Sequence, residues 1–334
     1  MAITDSSTVE TPAEMRIAEL THQGVMHIHG EDAEGFLQSQ FINDLSELSS
    51  GQTQINGYCD AKGRLLAIFQ LLKRAEHFFI IAPNEILPGL IKRLNLFVLR
   101  SKVTIEVLPW HIFVAWGSEI DTMVATLGER SGQSDETLKD PNLKTIRSTQ
   151  LMTFRDDSTA LLLLADSKES IVNEPVLAEL LTPEAAWQSD RVRAGVPTIY
   201  QSTVGQFLPQ WVNMDLIDGL SFRKGCFPGQ EIIARTRYLG KLKKRMVAFS
   251  AQGIDDQAAQ SLLPGSTVYD QDQQKIGTVV DAVEYPAGDW HLLAMVRLAG
   301  VSDTLLAGEV TLHAEKLPYP IPETTDSKAD SQQA

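Results

Sequence analysis

Apolar and polar positions alternate over residues 24–30, GVMHIHG, where Val25, His27 and His29 fall opposite Met26 and Ile28. A period of two predicts a strand. Residues 31–45, EDAEGFLQSQFINDL, place acids in the first turn and Leu37, Phe41 and Leu45 four apart, which predicts a helix. INGYCDAKGRLLAIFQLLKR (55–74) predicts strand, turn and strand, the turn being Asp60-Ala61-Lys62-Gly63 with glycine supplying the permissive backbone. HFFIIAP (77–83) predicts a strand, residues 84–100 a helix with a proline near its start, and KVTIEVLP (102–109) a further strand. This order is that of an α+β unit. WHIFVAWG (110–117) opens a second set, with strands expected in LMTFRDD (151–157) and ALLLLAD (160–166) and a polar loop between. In TPEAAWQSDRVRAGVP (182–197), Thr182 can cap a helix, Pro183 suits its first position, Gly195 ends it and Pro197 blocks it. From about residue 245 five short strands (RMVAFSA, STVYD, KIGTVVDAV, HLLAMVRL and EVTLHAE), separated by Gly, Asp and Gln turns, predict a small β-barrel or sandwich.

The chain has 334 residues, 43% of them hydrophobic and 22% charged, enough for two or three packed domains. No apolar run is long enough for a membrane helix. The polar start, residues 1–14, lacks a basic stretch followed by an apolar one, so a cytoplasmic protein is expected, with that start and the tail 321–334 disordered. A net charge of −14 argues against general nucleic-acid binding. Two cysteines, Cys59 and Cys226, are too few for a disulfide scaffold, an iron–sulfur cluster or a structural zinc built by this chain alone.

The densest chemistry lies in SFRKGCFPGQEIIARTRYLG (221–240). Gly225 and Gly229 bracket Cys226, and a helix-like segment follows. A helix N-terminus, Lys224 and Arg235 would favour a thiolate at Cys226; a small buried residue in a tight turn is the alternative. Glu231 can serve as a general base or simply favour the helix N-terminus. RTRYLGKLKKR (235–245) gathers Arg235, Arg237, Lys241, Lys243, Lys244 and Arg245. It suits phosphate or RNA, or a solvated link into the barrel. His27 and His29 share one face of their strand, but a metal needs further ligands that the sequence does not identify, so a polar strand face and no metal are expected. No Walker loop, H-E-x-x-H, Rossmann fingerprint or G-x-S-x-G is present.

The run Lys224, Gly225, Cys226, Phe227, Gly229, Gln230 and Glu231 resembles the K-G-C-[FY]-x-G-Q-E hallmark of the folate-binding YgfZ family, within the wider YgfZ/GcvT superfamily. GQFLPQWVN (205–213), GLSF (219–222), CDAKG (59–63), QFINDL (40–45) and AGVP (194–197) are similar to it too, so the resemblance runs from about residue 20 to about 320. It implies a three-domain aminomethyltransferase-like α+β fold: a folate-binding domain from residues 15–48 and 109–242, a second from 49–108, and a C-terminal β-barrel from 243–320, around a central channel. It also implies tetrahydrofolate or a derivative as ligand, and a role in tRNA modification through maintenance of iron–sulfur enzymes such as tRNA methylthiolases. A link to replication initiation belongs to the same family description. Of two tryptophans associated with folate in the family, one falls on Trp187 and the other on Gln23, which can hydrogen-bond but not stack. Trp187, Asp190, Arg191 and Ala194 share one helical face, where an indole can stack on a pterin and an arginine can meet a carboxylate. Gln230 and Arg235 complete the implied folate contacts. The position before the AGVP alanine, commonly glutamate in the family, is Arg193. The related aminomethyltransferases of glycine cleavage carry an aspartate where this chain has Ala67, which argues against aminomethyl transfer. The alternatives are another folate-dependent one-carbon transfer, or direct tRNA binding through residues 235–245.

Overall fold

The computed structural model describes residues 15–117, 143–146, 149–155, 160–165, 168, 172–173, 175–238 and 242–322. The N-terminus to residue 14, residues 131–142 of the polar loop and the tail from residue 323 lie outside the described residues. In chain order the elements are β1 (Arg16–Glu19), β2 (Gln23–His29), α1 (Ala33–Gln40), β3 (Thr53–Cys59), β4 (Leu65–Arg74), β5 (His77–Pro83), α2 (Leu87–Val98), β6 (Thr104–Leu108) and β7 (His111–Trp116). There follow β8 (Leu143–Ile146), β9 (Thr149–Arg155), β10 (Ala160–Ala165), α3 (Glu184–Arg193), α4 (Gln230–Tyr238), β11 (Lys244–Gln252), β12 (Thr267–Tyr269), β13 (Lys275–Glu284), β14 (Asp289–Arg297), β15 (Thr304–Ala307) and β16 (Val310–Glu315).

Two compact units result. One comprises the chain up to Thr21 together with Pro109–Pro183, and its sheet has the order β1-β7-β10-β9-β8. The other comprises His22–Leu108 and the chain from Glu184. It holds a five-stranded sheet, order β3-β4-β5-β2-β6, and a closed six-stranded barrel, order β11-β14-β13-β12-β15-β16. Among the described residues no helix is long and apolar enough to cross a membrane.

The residues 15–48 that the resemblance groups with 109–242 fall partly in the first unit, up to Thr21, and partly in the second, from His22. β2 runs antiparallel between β5 and β6, with His27 opposite Phe79 on one side and Glu106 on the other. Its Met26 and Ile28 point to the face covered by α1 and α2, in a core with Phe36, Leu37, Phe78, Ile80, Leu90 and Leu94. Burying that face fixes the register, because a one-residue slip would turn the histidines inward.

The expected helix over 31–45 is cut short. α1 ends at Gln40, and Phe41 is extended. Leu37, Phe41 and Leu45 are all fully buried, so the four-residue spacing marks burial correctly but not conformation. The chain straightens because polar partners hold it: the Asn43 amide nitrogen donates to the carbonyls of Ile55 (3.0 Å) and Asp218 (2.6 Å), and Asn43 N donates to Asn56 Oδ1 (2.9 Å). The barrel has a sixth strand, β15, that the alternation does not mark, and it completes closure beside β16. Gly195 ends α3 with φ +71°, as its position predicts. The Thr182 hydroxyl, just ahead of that helix, donates to the Ile17 carbonyl at 3.2 Å. Past the barrel, the Tyr319 hydroxyl donates to the Gly195 carbonyl at 2.7 Å.

Candidate functional site

The hairpin turn between β3 and β4 is built by its first residue. Asp60 Oδ1 accepts from the backbone N–H of Lys62 (2.8 Å) and Arg64 (2.9 Å), and Gly63 takes φ +71°. The start of β4 is then bonded to the 205–207 segment: Leu65 N–H donates to the Phe207 carbonyl and Gly205 N–H to that of Leu65, both at 2.8 Å. The same segment continues to Gln210, whose amide donates to the Ile233 carbonyl of α4 at 2.6 Å, and to Asn213, which donates to the Met246 carbonyl of β11 at 2.9 Å.

The KGCFPGQE turn seats against that hairpin. A Cβ placed on Gly229 would lie 2.5 Å from Gly63 Cα and 2.6 Å from the Asp60 carbonyl oxygen, so only glycine permits this approach. Phe227 is buried in one cluster with Cys59, Leu65, Phe207, Ile233 and barrel residues Val280 and Leu293. Lys224 is buried, and its Nζ donates to the carbonyls of Phe41 (2.6 Å) and Asn43 (2.9 Å), just past the end of α1. Burial lowers its pKa to about 8, against the opposing pull of Asp44. Lys224 therefore acts first as a clamp that ties the turn to the segment 41–43. Between these two buried anchors, Cys226 is exposed. Cys59 is buried and packs in the same cluster, and burial raises its thiol pKa. Gln230 opens α4 and its amide reaches the Lys224 carbonyl at 3.4 Å. Glu231 and Arg235 stand exposed on the same helix.

α3 carries Trp187 half-buried. Its first residue, Glu184, accepts a hydrogen bond from His22 Nδ1 at 2.9 Å, which joins the helix start to the residue before Gln23. Arg191 acts on the opposite partner, the barrel: its charge lies near the buried Asp281 of β13, which accepts from the Tyr200 hydroxyl at 2.8 Å. Burial raises the Asp281 carboxyl to about 6, with Tyr200 and Arg191 pulling the other way. Sequence reading passed over Asp281, although an acid inside the apolar run Val279-Val280-Asp281-Ala282-Val283 was a signal.

The basic segment is only partly available to a polyanion. Arg245 is buried, with Nη1 and Nη2 on the two Asp215 carboxylate oxygens at 2.6 and 3.0 Å and Nη1 also on the Gln210 carbonyl at 2.9 Å. Lys244 Nζ lies 4.5 Å from the Trp211 ring centre, and the Arg237 guanidinium 4.0 Å from that of Phe222. Lys241 lies outside the described residues. Ala67 is buried in the apolar core beneath α1 and α2.

No protein-family model matches the chain. It is 30% identical over 313 residues to an uncharacterized protein of Haemophilus influenzae, covering 91% of this chain and 98% of that one. It is 26% identical over 333 residues to the tRNA-modifying protein YgfZ of Colwellia psychrerythraea, covering 96% and 98%. It is 27% identical over 309 residues to that of Shigella sonnei, covering 89% and 90%. Among solved structures, glycine cleavage system aminomethyltransferase T from Bartonella henselae superposes with a TM-score of 0.65 at 16% identity, over 92% of this chain and 87% of that one. That likeness establishes the aminomethyltransferase-like fold, and the full-length similarity to proteins of that name places the chain in the YgfZ family.

Proposed function

We propose that this protein binds a tetrahydrofolate-type ligand and serves tRNA modification in the cytoplasm, with Cys226 as the group it presents. The observation that carries the reading is the setting of that thiol. It is exposed, while Lys224 on one side and Phe227 on the other are buried and held. A turn anchored so firmly presents one side chain in one place, which is what reaction or ligand contact requires. The hairpin that follows CDAKG bonds to GQFLPQWVN through Leu65, GQFLPQWVN bonds to α4 at Ile233, and KGCFPGQE packs on the hairpin turn at Gly63.

The α3 region suits the folate part of the proposal. Trp187 offers an aromatic face and Gln23 amide donors and acceptors, and the His22–Glu184 bond draws their two elements together. Gln23 supplies hydrogen bonds where the family's other tryptophan would stack, and the nearby charge of Asp281 partly offsets Arg191. Gln230 and Arg235 belong to the proposal as residues of the thiol-bearing turn and its helix, with Glu231 as the nearest carboxylate in sequence. Bound folate would supply one-carbon or pterin chemistry; the chain's own part is to stack, hydrogen-bond and hold Cys226.

Within this proposal the protein acts on iron–sulfur enzymes such as tRNA methylthiolases, and only through them on tRNA and on replication control. Direct tRNA binding through residues 235–245 is disfavoured by the burial of Arg245, and aminomethyl transfer by Ala67. The test is a titration of reduced folates against the native protein and Trp187→Ala, paired with methylthiolated-nucleoside analysis in a host lacking its own YgfZ. The reading predicts saturable folate binding weakened in Trp187→Ala, and restored methylthiolation with the native chain but not Cys226→Ser. Equal complementation by Cys226→Ser would remove the thiol from the function, and unchanged folate affinity in Trp187→Ala would remove the pterin stack.

A further inference from the structure

Three of the chain's seven histidines meet on one patch of the β2–β5–β6 surface, opposite the face covered by α1 and α2. The register brings them there. His29 pairs with His77 across β2–β5, and His27 pairs with Glu106 across β2–β6. The rings stack: His27 lies 4.6 Å from His29 and 5.1 Å from His77, and rests on the buried Phe79 at 4.7 Å. The Glu106 carboxylate bridges the outer edge. Its Oε1 lies 3.1 Å from His27 Nδ1 and 3.6 Å from His29 Nε2.

We propose that His27, His29 and Glu106 form a binding site for one divalent transition-metal ion, zinc by preference, with His77 orienting His27 from behind. Two imidazoles and a carboxylate are a ligand set that zinc takes with a further position left open. Bonds of about 2.0–2.2 Å to nitrogen and oxygen place neighbouring donors of a tetrahedral or octahedral sphere about 3.0–3.5 Å apart. The 3.1 Å separation from Glu106 Oε1 to His27 falls within that edge length and the 3.6 Å one to His29 just beyond it, and one donor atom from each of the three residues falls within 4.8 Å of the others. His27 Nε2 and His77 Nδ1 are 2.8 Å apart and share a hydrogen. A partner on the far nitrogen fixes ring orientation and tautomer in metal-binding histidines. The site opens outward: the side chain of His27 is 13% exposed, that of His29 34% and that of Glu106 49%. An ion can enter and keep water on its free side.

The test uses the full-length protein, stripped with chelator and titrated with Co2+ as a spectroscopic stand-in for Zn2+. The site predicts one Co2+ per chain with visible ligand-field bands, displaced by Zn2+. His77→Gln should weaken binding by roughly 10–100-fold, as loss of an orienting partner does. His29→Asn and Glu106→Gln, both at solvent-facing positions, should abolish the bands while leaving the circular dichroism spectrum unchanged. Binding that survives the double variant His29→Asn, Glu106→Gln overturns the proposal. So does binding lost in Cys226→Ser but kept in His29→Asn, which would put the ion on the thiol, and so does the absence of any Co2+ band in the native chain.

Discussion

Replacing Gly229 with alanine tests whether the hairpin and the cysteine turn are locked together. Two costs follow from the geometry. Gly229 has φ +82°, a conformation that costs a residue bearing a Cβ about 1–2 kcal/mol. The new methyl would also stand 2.5 Å from Gly63 N and Cα and 2.6 Å from the Asp60 oxygen. These are backbone atoms of a turn already held by the Asp60 carboxylate, so no rotamer change relieves the overlap, and forcing such atoms apart costs about 1–3 kcal/mol more. The sum is roughly 2–5 kcal/mol. A unit of this size loses about 2–4 °C of Tm per kcal/mol, so the variant should melt roughly 5–15 °C lower. Gly225, four residues earlier in the same motif, is the control. A Cβ there meets nothing within 4 Å, and Gly225→Ala should stay within about 0.5 kcal/mol of the parent. Thermal unfolding followed by circular dichroism, with the rate of thiol labelling at Cys226, reads both effects. Equal melting temperatures for the two variants would refute the claim that the turns interlock.

Two further perturbations probe charges held out of water. Asp281 is raised from 3.8 to about 6 in the fold, so the folded chain holds that proton through a window where the unfolded chain has lost it. Its stabilising contribution is complete below about pH 4 and falls by about 3 kcal/mol as pH rises through 6. Urea unfolding of Asp281→Asn against the parent from pH 4 to 8 should show that slope vanish, and parallel curves would contradict it. Lys224 is lowered from 10.5 to about 8, so stability should rise by about 3 kcal/mol between pH 8 and 10.5, as the unfolded chain alone keeps its proton there. In Lys224→Met that rise should disappear, and a rise equal to the parent's would show that Nζ is not desolvated.

Where one periodicity governed a segment, the sequence read well. β5 and β7 follow their apolar runs, and Gly195 stops α3 where a left-handed residue is needed. The reading faltered where a distant polar group decided the outcome. Nothing local to 41–45 announces that Lys224, far along the chain, will take the carbonyls of Phe41 and Asn43 and draw a helical pattern straight. Likewise the period of β2 tells which of its faces is buried but not that β5 and β6 flank it. For Cys226 the glycines and lysine left a reactive thiol and a buried packing residue both open; the fold exposes it and uses Lys224 chiefly as an anchor. The histidine patch was half legible: His27 and His29 announce a shared face, but His77 and Glu106 join them only through register.

The Tyr319–Gly195 hydrogen bond ties the segment just past the barrel to the end of α3. Leu317 and Tyr319 close over Gly195, where a Cβ would come within 2.5 Å of the tyrosine oxygen. Stopping translation once the barrel is finished, at Glu315, would leave every strand intact and yet strip the brace from the far end of the Trp187 helix. Trimming that looks harmless from sheet topology would therefore loosen the indole first.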